Sequence, residues 1–383
     1  MGFRKNVSNE RLTSAAAARV YSRQNVGRYS ERAKQRRRRR RLKRGVLYTL
    51  LTVLIVGVTA AGLWVARIAS RLNDPSLITE SLLATLVDSD VTKDPFYMLL
   101  LGTDGRPGED TYRSDTIVLA RVDPTQKQVT LVSIPRDTKV TINGSTQKIN
   151  AAHALGGPEA VVKAVNKLCG VEISHYAEVS FDGMKELVDA LGGVEVNVPD
   201  RIDDPKAADF VIEPGLQTLN GDQALAFCRS RAFPDGDYTR MRHQRIFIAA
   251  LAKTLLNNVD PANLMPLVES ISDMVVTDLS ISDIVSLANA MRGMDTDGIW
   301  SANVPSTTAM IDGVSYVIAD EDELEEMMER VDAGEDPKGP QSSDVQGESS
   351  TIGDLTANTH EDFSTGTDKA VSSGSSSSDG SSE

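Results

Sequence analysis

The sequence predicts an α/β fold, a layered α-β-α sandwich with a central mixed sheet, preceded by one transmembrane helix. Two observations lead to this prediction. Between residues 95 and 333, short apolar runs typical of strands alternate with longer segments typical of helices. Before them, residues 46–66 contain no charged side chain. A helix of that length spans about 31 Å, close to the roughly 30 Å of a bilayer core.

The charge of the 383-residue chain is divided at this apolar segment. Residues 1–45 carry 16 Lys or Arg against 2 Asp or Glu, whereas the rest of the chain carries 25 basic and 52 acidic side chains. By the positive-inside rule, the basic cluster before the segment predicts a cytoplasmic amino terminus and an extracytoplasmic remainder. The acidic remainder argues against a nucleic-acid partner, and the segment itself indicates the cell membrane. A buried core helix and a cleaved signal peptide are the alternatives for this segment.

These features divide the chain into five regions. Residues 1–45 form a disordered, basic cytoplasmic arm. Residues 46–66 form a single-pass transmembrane helix, and residues 67–94 a linker. Residues 95–333 form the folded extracytoplasmic domain. Residues 334–383 include 13 serines and few large apolar side chains, which predicts a disordered acidic tail.

Within the folded region, the first strand is predicted at residues 96–101. The next two, at 116–122 and 128–134, are expected to pair as a hairpin around the turn at 123–126. Further strands are predicted at 176–180, 194–198, 299–304 and 314–318, and helices at 158–168, 182–191, 222–227, 240–256, 261–275, 281–291 and 320–331.

Two aspartates lie where neighbouring strands meet a loop. Asp104 follows the first strand, and Asp115 comes just before the second, next to Arg113. Loops at strand ends are where α/β sheets build their sites. Two carboxylates there suit Mg²⁺, with Mn²⁺ as the alternative, because such an ion takes one or two carboxylates and accepts phosphate oxygens. Turn formation or capping is the alternative role for each aspartate.

Several arginines are candidates for binding phosphate. Arg136 and Asp137 come after the third strand, where they form either a phosphate-binding group or a surface ion pair. Five more arginines lie in one stretch of 17 residues, inside a domain that is otherwise acidic. This concentration of positive charge predicts an anion pocket or, alternatively, a solvated helix face. They are Arg229, Arg231, Arg240, Arg242 and Arg245.

Six stretches between about residues 95 and 256 together resemble the LytR–CpsA–Psr family. They read FYMLLLGTDGRPGEDTYRSDTIVLARVD, VTLVSIPRDTKV, KINAAHALGG, LVDALGGVEVNVP, GLQTLNGDQALAFCRSR and DYTRMRHQR. The resemblance implies an Mg²⁺-dependent phosphotransferase that moves an anionic glycopolymer from a polyprenyl-pyrophosphate carrier to a peptidoglycan hydroxyl, forming a phosphodiester. A non-catalytic polyprenyl-phosphate-binding scaffold and a pyrophosphatase are the alternatives.

The resemblance also implies roles for individual residues. Asp104 and Asp115 would hold the metal. Catalysis is assigned to Arg113, Arg136 and Asp137, and substrate binding to Arg229, Arg231, Asp237, Arg240 and Gln244. Asp137 and Asp237 are the candidates for a general base. The family has an arginine where this chain has His243, and we expect Arg242 or Arg245 to compensate.

The chain has two cysteines, Cys169 and Cys228. Because an extracytoplasmic domain lies in an oxidising space, a disulfide between them is expected, with two buried free thiols as the alternative.

Overall fold

The computed structural model describes residues 52, 54–104, 112–257, 269, 272, 275–339 and 350–357. The chain divides after Ala66 into two units. Helix α1, Leu54–Leu72, is long and apolar enough to cross a membrane by its length and composition. The predicted arm at 1–45 lies outside the described residues, and so do residues 46–51 and 53 of the predicted span.

The second unit contains the strands and the remaining helices. The strands are β1 Phe96–Thr103, β2 Ser114–Asp123, β3 Gln128–Ser133, β4 Lys139–Ile142, β5 Ser145–Lys148, β6 Ile173–Ser180, β7 Val194–Val198, β8 Gly215–Leu219, β9 Val275–Thr277, β10 Trp300–Asn303, β11 Ser306–Ile311, β12 Val314–Ala319 and β13 Ser350–Thr351. The helices are α2 Glu80–Leu83, α3 Ala152–Cys169, α4 Phe181–Ala190, α5 Gly221–Arg229, α6 Asp237–Asn257, α7 Ile281–Ala290, α8 Glu321–Ala333 and α9 Ile352–Ala357.

Seven strands form one mixed sheet in the order β13-β10-β3-β2-β1-β6-β9. The strand β1 is antiparallel to β2 and parallel to β6, and β3 is parallel to β10. The predicted hairpin of β2 and β3 is present. Its turn is held by Asp123, whose carboxylate accepts hydrogen bonds from the backbone N–H groups of Thr125 and Gln126.

Two hydrophobic cores cover the two faces of this sheet. Along β1 the side chains alternate, so Leu99 and Leu101 join the first core and Phe96 the second. The first core includes side chains of α3 and α8, among them Val161, Val165, Leu324 and Met328. The second includes side chains of α5 and α6, among them Phe227, Ile246 and Phe247. The layered α-β-α prediction is confirmed.

The segment at 67–94 is more than a linker, so that prediction is wrong. Ile68 and Leu72, on the last turns of α1, are buried against apolar side chains around α7. Ile78 and Leu82 belong to the first core of the sheet. Burying four such side chains stabilises the fold, since each contributes about 1.5–3 kcal/mol relative to exposure.

Helix α3 begins before its predicted start. It carries a break at Gly156 and Gly157, and Gly157 has a φ of 63° that most residues avoid. The predicted helix at 261–275 lies largely outside the described residues. Its last residue, Val275, begins strand β9, which pairs with β6 at the sheet edge.

The expected disulfide is absent, because Cys169 and Cys228 are both free and buried. Cys169 ends α3 in the first core, whereas Cys228 on α5 belongs to the second. The sheet therefore separates the two thiols, and the alternative of two buried thiols is confirmed. Burial raises the pKa of the Cys169 thiol to about 12, so it remains protonated.

Part of the predicted disordered tail is folded. Strand β13 pairs antiparallel with β10, and the helix α9 that follows buries Ile352 and Leu355 in the second core. Residues 350–357 thus complete one edge of the sheet, and the prediction of disorder is wrong there. The rest of the tail after 339 lies outside the described residues.

Candidate active site at the strand ends

A bulge in β2 sets the position of Asp115. Thr103 pairs with Ser114 and Gly102 with Thr116, which leaves Asp115 as the extra residue. Such bulges redirect a side chain and are frequent beside active sites. The strands approach closely here, since a Cβ on Gly102 would lie 2.9 Å from the Cβ of Thr116. Only glycine fits at 102 without a shift of β2.

Asp115 forms an ion pair with Arg136, which follows β3. The distance from Nη1 of Arg136 to Oδ1 of Asp115 is 2.6 Å, and each side chain is 23% exposed. Burial alone would lower the pKa of the Arg136 guanidinium. The hydrogen bond to Asp115 and the negative charges of Asp237 and Asp137 outweigh burial and raise it. Arg136 therefore carries a fixed positive charge within a group of carboxylates.

A second charged group lies where α5 ends and α6 begins. Oδ1 of Asp237 is 2.9 Å from Nη2 of Arg240 and 3.3 Å from Nε of Arg231. Arg240 is only 3% exposed. Burial lowers the pKa of its guanidinium; Asp237 opposes that shift, and the positive charges of Arg231 and Arg136 add to it. The two charged groups thus share one electrostatic environment, although they lie about 100 residues apart in the chain.

Two buried N–H groups in this environment have no hydrogen-bond acceptor. They are the Nε atoms of Arg136 and Arg240, and the statement covers the residues that the structure describes. Buried polar groups are nearly always satisfied, so two unsatisfied cationic donors indicate room for an anion. The structure thus brings Asp115, Arg136, Arg231, Asp237 and Arg240 together; these five residues are called the arginine cluster below.

The other predicted residues lie around this cluster with different partners. Asp104 and Arg113 are both exposed and occupy the positions just beyond the Thr103–Ser114 pair. The exposed Arg229 places its guanidinium 5.2 Å from the centre of the Phe181 ring.

Asp137 and Gln244 also have partners in the chain. Oδ1 of Asp137 lies 3.1 Å from Nζ of Lys148. The buried Gln244 donates a hydrogen bond of 3.1 Å to the carbonyl oxygen of Cys228 and so holds α5 against α6. The roles assigned to these residues remain predictions.

His243 is a core residue. Its ring stacks on Phe227 at 4.5 Å, and its Nε2 lies 3.3 Å from Oδ2 of Asp200. Burial lowers its pKa, against the opposing effect of Asp200. Arg242 pairs with the same aspartate at 2.5 Å. Arg245 donates hydrogen bonds to Ser301 and Asn303.

Arg242 and Arg245 thus have partners outside the arginine cluster, and the expectation that one of them compensates for His243 stays a prediction. Helix periodicity explains their placement. Residues two and five positions after Arg240 project from other sides of α6 than Arg240 itself.

Sequence reasoning missed a buried polar group next to the site. Glu178 on β6 is 4% exposed and bonds to Thr103, His153 and Tyr176. A signal was available, because strand alternation places Glu178 on the same face as the buried Tyr176. A carboxylate on a strand covered on both faces must have partners.

At these strand ends the described residues offer two carboxylates, Asp104 and Asp115, as donors for a hard cation. Among the described residues, no group of three His, Cys, Asp or Glu side chains could hold a metal ion. Asp104 and Asp115 fit Mg²⁺ only as a shared site, in which phosphate oxygens and water complete the coordination. The ion pair with Arg136 engages Oδ1 of Asp115, which leaves its second oxygen available to a cation.

Among the described residues, the second-core face of β1 is incompletely covered near the site. Met98, Leu100 and Gly102 are half-buried although β1 has a neighbouring strand on each side. Partly buried apolar side chains of the covering helices face the same core, among them Ile248, Leu251, Ile284 and Leu287. The arrangement leaves apolar surface that could take a hydrocarbon chain.

Comparisons with known proteins agree with the resemblance. The LytR_cpsA_psr family model matches residues 73–333. A relative from Enterococcus faecalis, named polyisoprenyl-teichoic acid–peptidoglycan teichoic acid transferase TagU, is 34% identical over 284 residues, 73% of this chain and 92% of the relative.

Solved structures give the same result. The crystal structure of Bacillus subtilis TagV has a TM-score of 0.57 and 28% identity, covering 63% of this chain and 97% of TagV. The structure of TagT bound to LI-WTA has a TM-score of 0.56 and 26% identity, covering 65% of this chain and 93% of TagT.

Proposed function

Because the chain belongs to the LytR_cpsA_psr family, we propose that it is a membrane-anchored phosphotransferase. Its reaction moves an anionic glycopolymer from a polyprenyl-pyrophosphate carrier to a hydroxyl group of peptidoglycan and forms a phosphodiester. Relatives named as teichoic acid transferases, which match nearly their whole length, support this activity.

The arginine cluster is the observation that carries the proposal. Guanidinium groups whose buried Nε–H donors are unsatisfied fit a ligand with several negative oxygens, and a pyrophosphate is such a ligand. In the proposed complex, Arg136 and Arg240 bind the pyrophosphate from inside. The exposed Arg113, Arg229 and Arg231 contact it from the solvent side.

The site would promote the reaction by aligning the reactants and by neutralising the negative charge of the pyrophosphate. The acceptor hydroxyl attacks the phosphorus that carries the glycopolymer. A new P–O bond forms, the P–O bond to the carrier phosphate breaks, and polyprenyl phosphate leaves. Asp137 is the proposed acceptor of the hydroxyl proton, because it follows Arg136 directly and its side chain is 36% exposed. Asp237 is the second candidate.

Asp104 and Asp115 are proposed to hold Mg²⁺, with Mn²⁺ as the alternative. A bound divalent ion would neutralise negative charge on the phosphate oxygens. Asp104 is exposed, so a hydrated ion can reach its carboxylate. The bulge in β2 sets the position of Asp115. The arginines would orient the pyrophosphate against the two carboxylates and limit the access of water.

The carrier lipid and the membrane anchor belong to the same proposal. The incompletely covered face around Met98 and Leu100 would take part of the polyprenyl chain. The helix α1 would keep the site near its carrier in the membrane, which raises the effective concentration. The proposed topology places the amino terminus in the cytoplasm and the catalytic domain outside.

A reconstituted reaction tests this function. Purified full-length protein in detergent is mixed with a polyprenyl-pyrophosphate glycan, peptidoglycan oligosaccharides and Mg²⁺, and the products are identified by mass spectrometry. The proposal expects a phosphodiester-linked glycan and polyprenyl phosphate. Release of free phosphorylated glycan without acceptor product would indicate a pyrophosphatase. Binding of the carrier without turnover would indicate a scaffold.

A further inference from the structure

A buried carboxylate lies directly beneath the predicted metal-binding edge. Oε1 of Glu178 accepts a hydrogen bond of 3.1 Å from the hydroxyl of Thr103. Its Oε2 accepts one of 2.6 Å from the hydroxyl of Tyr176 and lies 3.1 Å from Nε2 of His153. Tyr112 adds a further hydrogen bond, and its ring stacks on His153 at 4.4 Å. The carboxylate of Glu178 is thus bonded to side chains from β1, β6, the residues before β2 and α3.

The bonded carboxylate is ionised. Burial by itself would raise the pKa of Glu178, but the hydrogen bonds from His153, Tyr176 and Tyr112 outweigh burial and lower it. An ionised carboxylate accepts several hydrogen bonds at once, and these are stronger than bonds between neutral groups. The cluster is therefore a firm connection between its members.

Two residues of this cluster are direct chain neighbours of predicted site residues in the segment 104–113. Thr103 directly precedes Asp104, and Tyr112 directly precedes Arg113. We propose that Glu178 is a positioning residue that fixes both ends of this segment, and thereby holds Asp104 and Arg113 at the edge of the sheet where the divalent ion and the pyrophosphate bind. The inference rests on the proposed function and adds a residue that touches neither ligand.

A comparable pair elsewhere on β6 provides a control. His175 Nδ1 lies 2.7 Å from Oδ2 of Asp278, and Oδ1 of Asp278 accepts a hydrogen bond from the backbone of Tyr176. This carboxylate is also mostly buried and also pairs with a histidine. It joins β6 to the residue after β9, however, and borders none of the predicted site residues.

The test compares Glu178→Gln with Asp278→Asn in the full-length protein. Calorimetry measures the binding of geranyl pyrophosphate in the presence of Mg²⁺, and a thermal scan measures stability. Both variants are expected to melt earlier than the wild type. Only Glu178→Gln is expected to weaken binding, by about 10–100-fold, which is typical when a supporting partner of a metal ligand is lost. Equal binding by both variants would overturn the proposal.

Smaller changes keep the proposal testable if Glu178→Gln does not fold. Thr103→Val and Tyr112→Phe each remove one hydroxyl from the cluster, and each is expected to weaken binding while the protein stays folded. If both act through Glu178, the double variant is expected to lose less than the product of the single losses. Wild-type binding by Thr103→Val and Tyr112→Phe would refute the inference.

The binding measurement separates this inference from the proposed function. A wild-type protein that binds geranyl pyrophosphate but transfers no glycan would refute the transferase, whereas the comparison of variants would still decide the role of Glu178. Conversely, full transfer with unchanged binding in Glu178→Gln would refute only the positioning role.

Discussion

Two different nitrogen atoms of the Arg136 guanidinium contribute to the site. Its Nη1 is bonded to Asp115, while its buried Nε–H has no acceptor among the described residues. An arginine held in this way is preorganised, so little side-chain entropy is lost when an anion arrives. The same reasoning applies to Arg240, which Asp237 holds.

Replacement of Arg136 by alanine tests this role. We expect transfer to fall by roughly 10³–10⁵, the range for an arginine at a transferring phosphoryl group. Initial rates with the purified variant measure the loss. The matched control is Arg201→Ala, because the ion pairs of Arg201 with Asp203 and Glu213 are exposed and the variant should keep wild-type turnover. Equal turnover in both variants would remove Arg136 from the mechanism.

The two thiols give a second test at this scale. Burial raises the pKa values of Cys169 and Cys228, so neither thiolate is available in the folded protein. We expect iodoacetamide to leave the native protein unmodified and to label both cysteines after unfolding without a reductant. Mass spectrometry distinguishes the states. Labelling that requires prior reduction would mean that the disulfide forms after all.

His243 predicts a dependence of stability on pH. Burial lowers its pKa in the folded state below the ordinary value of 6.5. The unfolded chain therefore binds the proton first, and stability is fully present above pH 6.5 and is lost as the pH falls through the folded pKa. The slope for one proton is at most about 1.4 kcal/mol per pH unit.

Urea unfolding of the wild type and of His243→Gln measures this effect. Between about pH 7.5 and about pH 5.5, the free energy of unfolding should fall more steeply in the wild type than in the variant. Parallel curves would show that His243 titrates alike in both states.

At the scale of elements, the carboxyl-terminal strand and helix stabilise the sheet. Strand β13 extends the sheet beyond β10, and Ile352 and Leu355 of α9 are 4% and 6% exposed. Two such side chains contribute up to about 3–6 kcal/mol by area burial.

Truncation tests the contribution of this segment. A chain ending at residue 345 should melt several degrees below the wild type, because it loses β13 and α9. A chain ending at residue 357 is the control and should retain the wild-type melting temperature, since it keeps both elements. Differential scanning calorimetry makes the comparison. Identical melting of the two truncated chains would contradict the contribution of β13 and α9.

The elements that could be predicted from sequence are those with apolar runs or clear ends. The strands β1, β2 and β3 have long apolar stretches, and Gly170 marks the end of α3 in the left-handed conformation. The strands β4, β5, β8 and β11 of the two-stranded ribbons were missed. They are short and largely polar, and few of their side chains are buried.

The site was predictable in part for the same reason. Strand ends and arginine spacing single out Asp115, Arg136 and Arg240. The bulge at Asp115 and the partners of Arg242 and Arg245 depend on register and helix orientation, which only tertiary packing decides. The separation of Cys169 from Cys228 likewise depends on which face each helix covers.

At the scale of the whole molecule, the proposed anchor and the unit with the candidate site lie in one chain. The helix α1 is long and apolar enough to cross a membrane, and the unit from Arg67 onward contains the candidate site. In the proposed single-pass topology, which the basic residues at 1–45 predict, the site faces away from the cytoplasm. That arrangement would give the enzyme access to a lipid carrier and to the cell wall at once.

The most direct test of the arginine cluster as a pyrophosphate site is a crystal structure of residues 67–357 with geranyl pyrophosphate and Mg²⁺. The account predicts phosphate oxygens within hydrogen-bond distance of Nε of Arg136 and of Arg240, and a divalent ion between Asp104 and Asp115. A pyrophosphate bound elsewhere, with these four side chains free of it, would contradict the account.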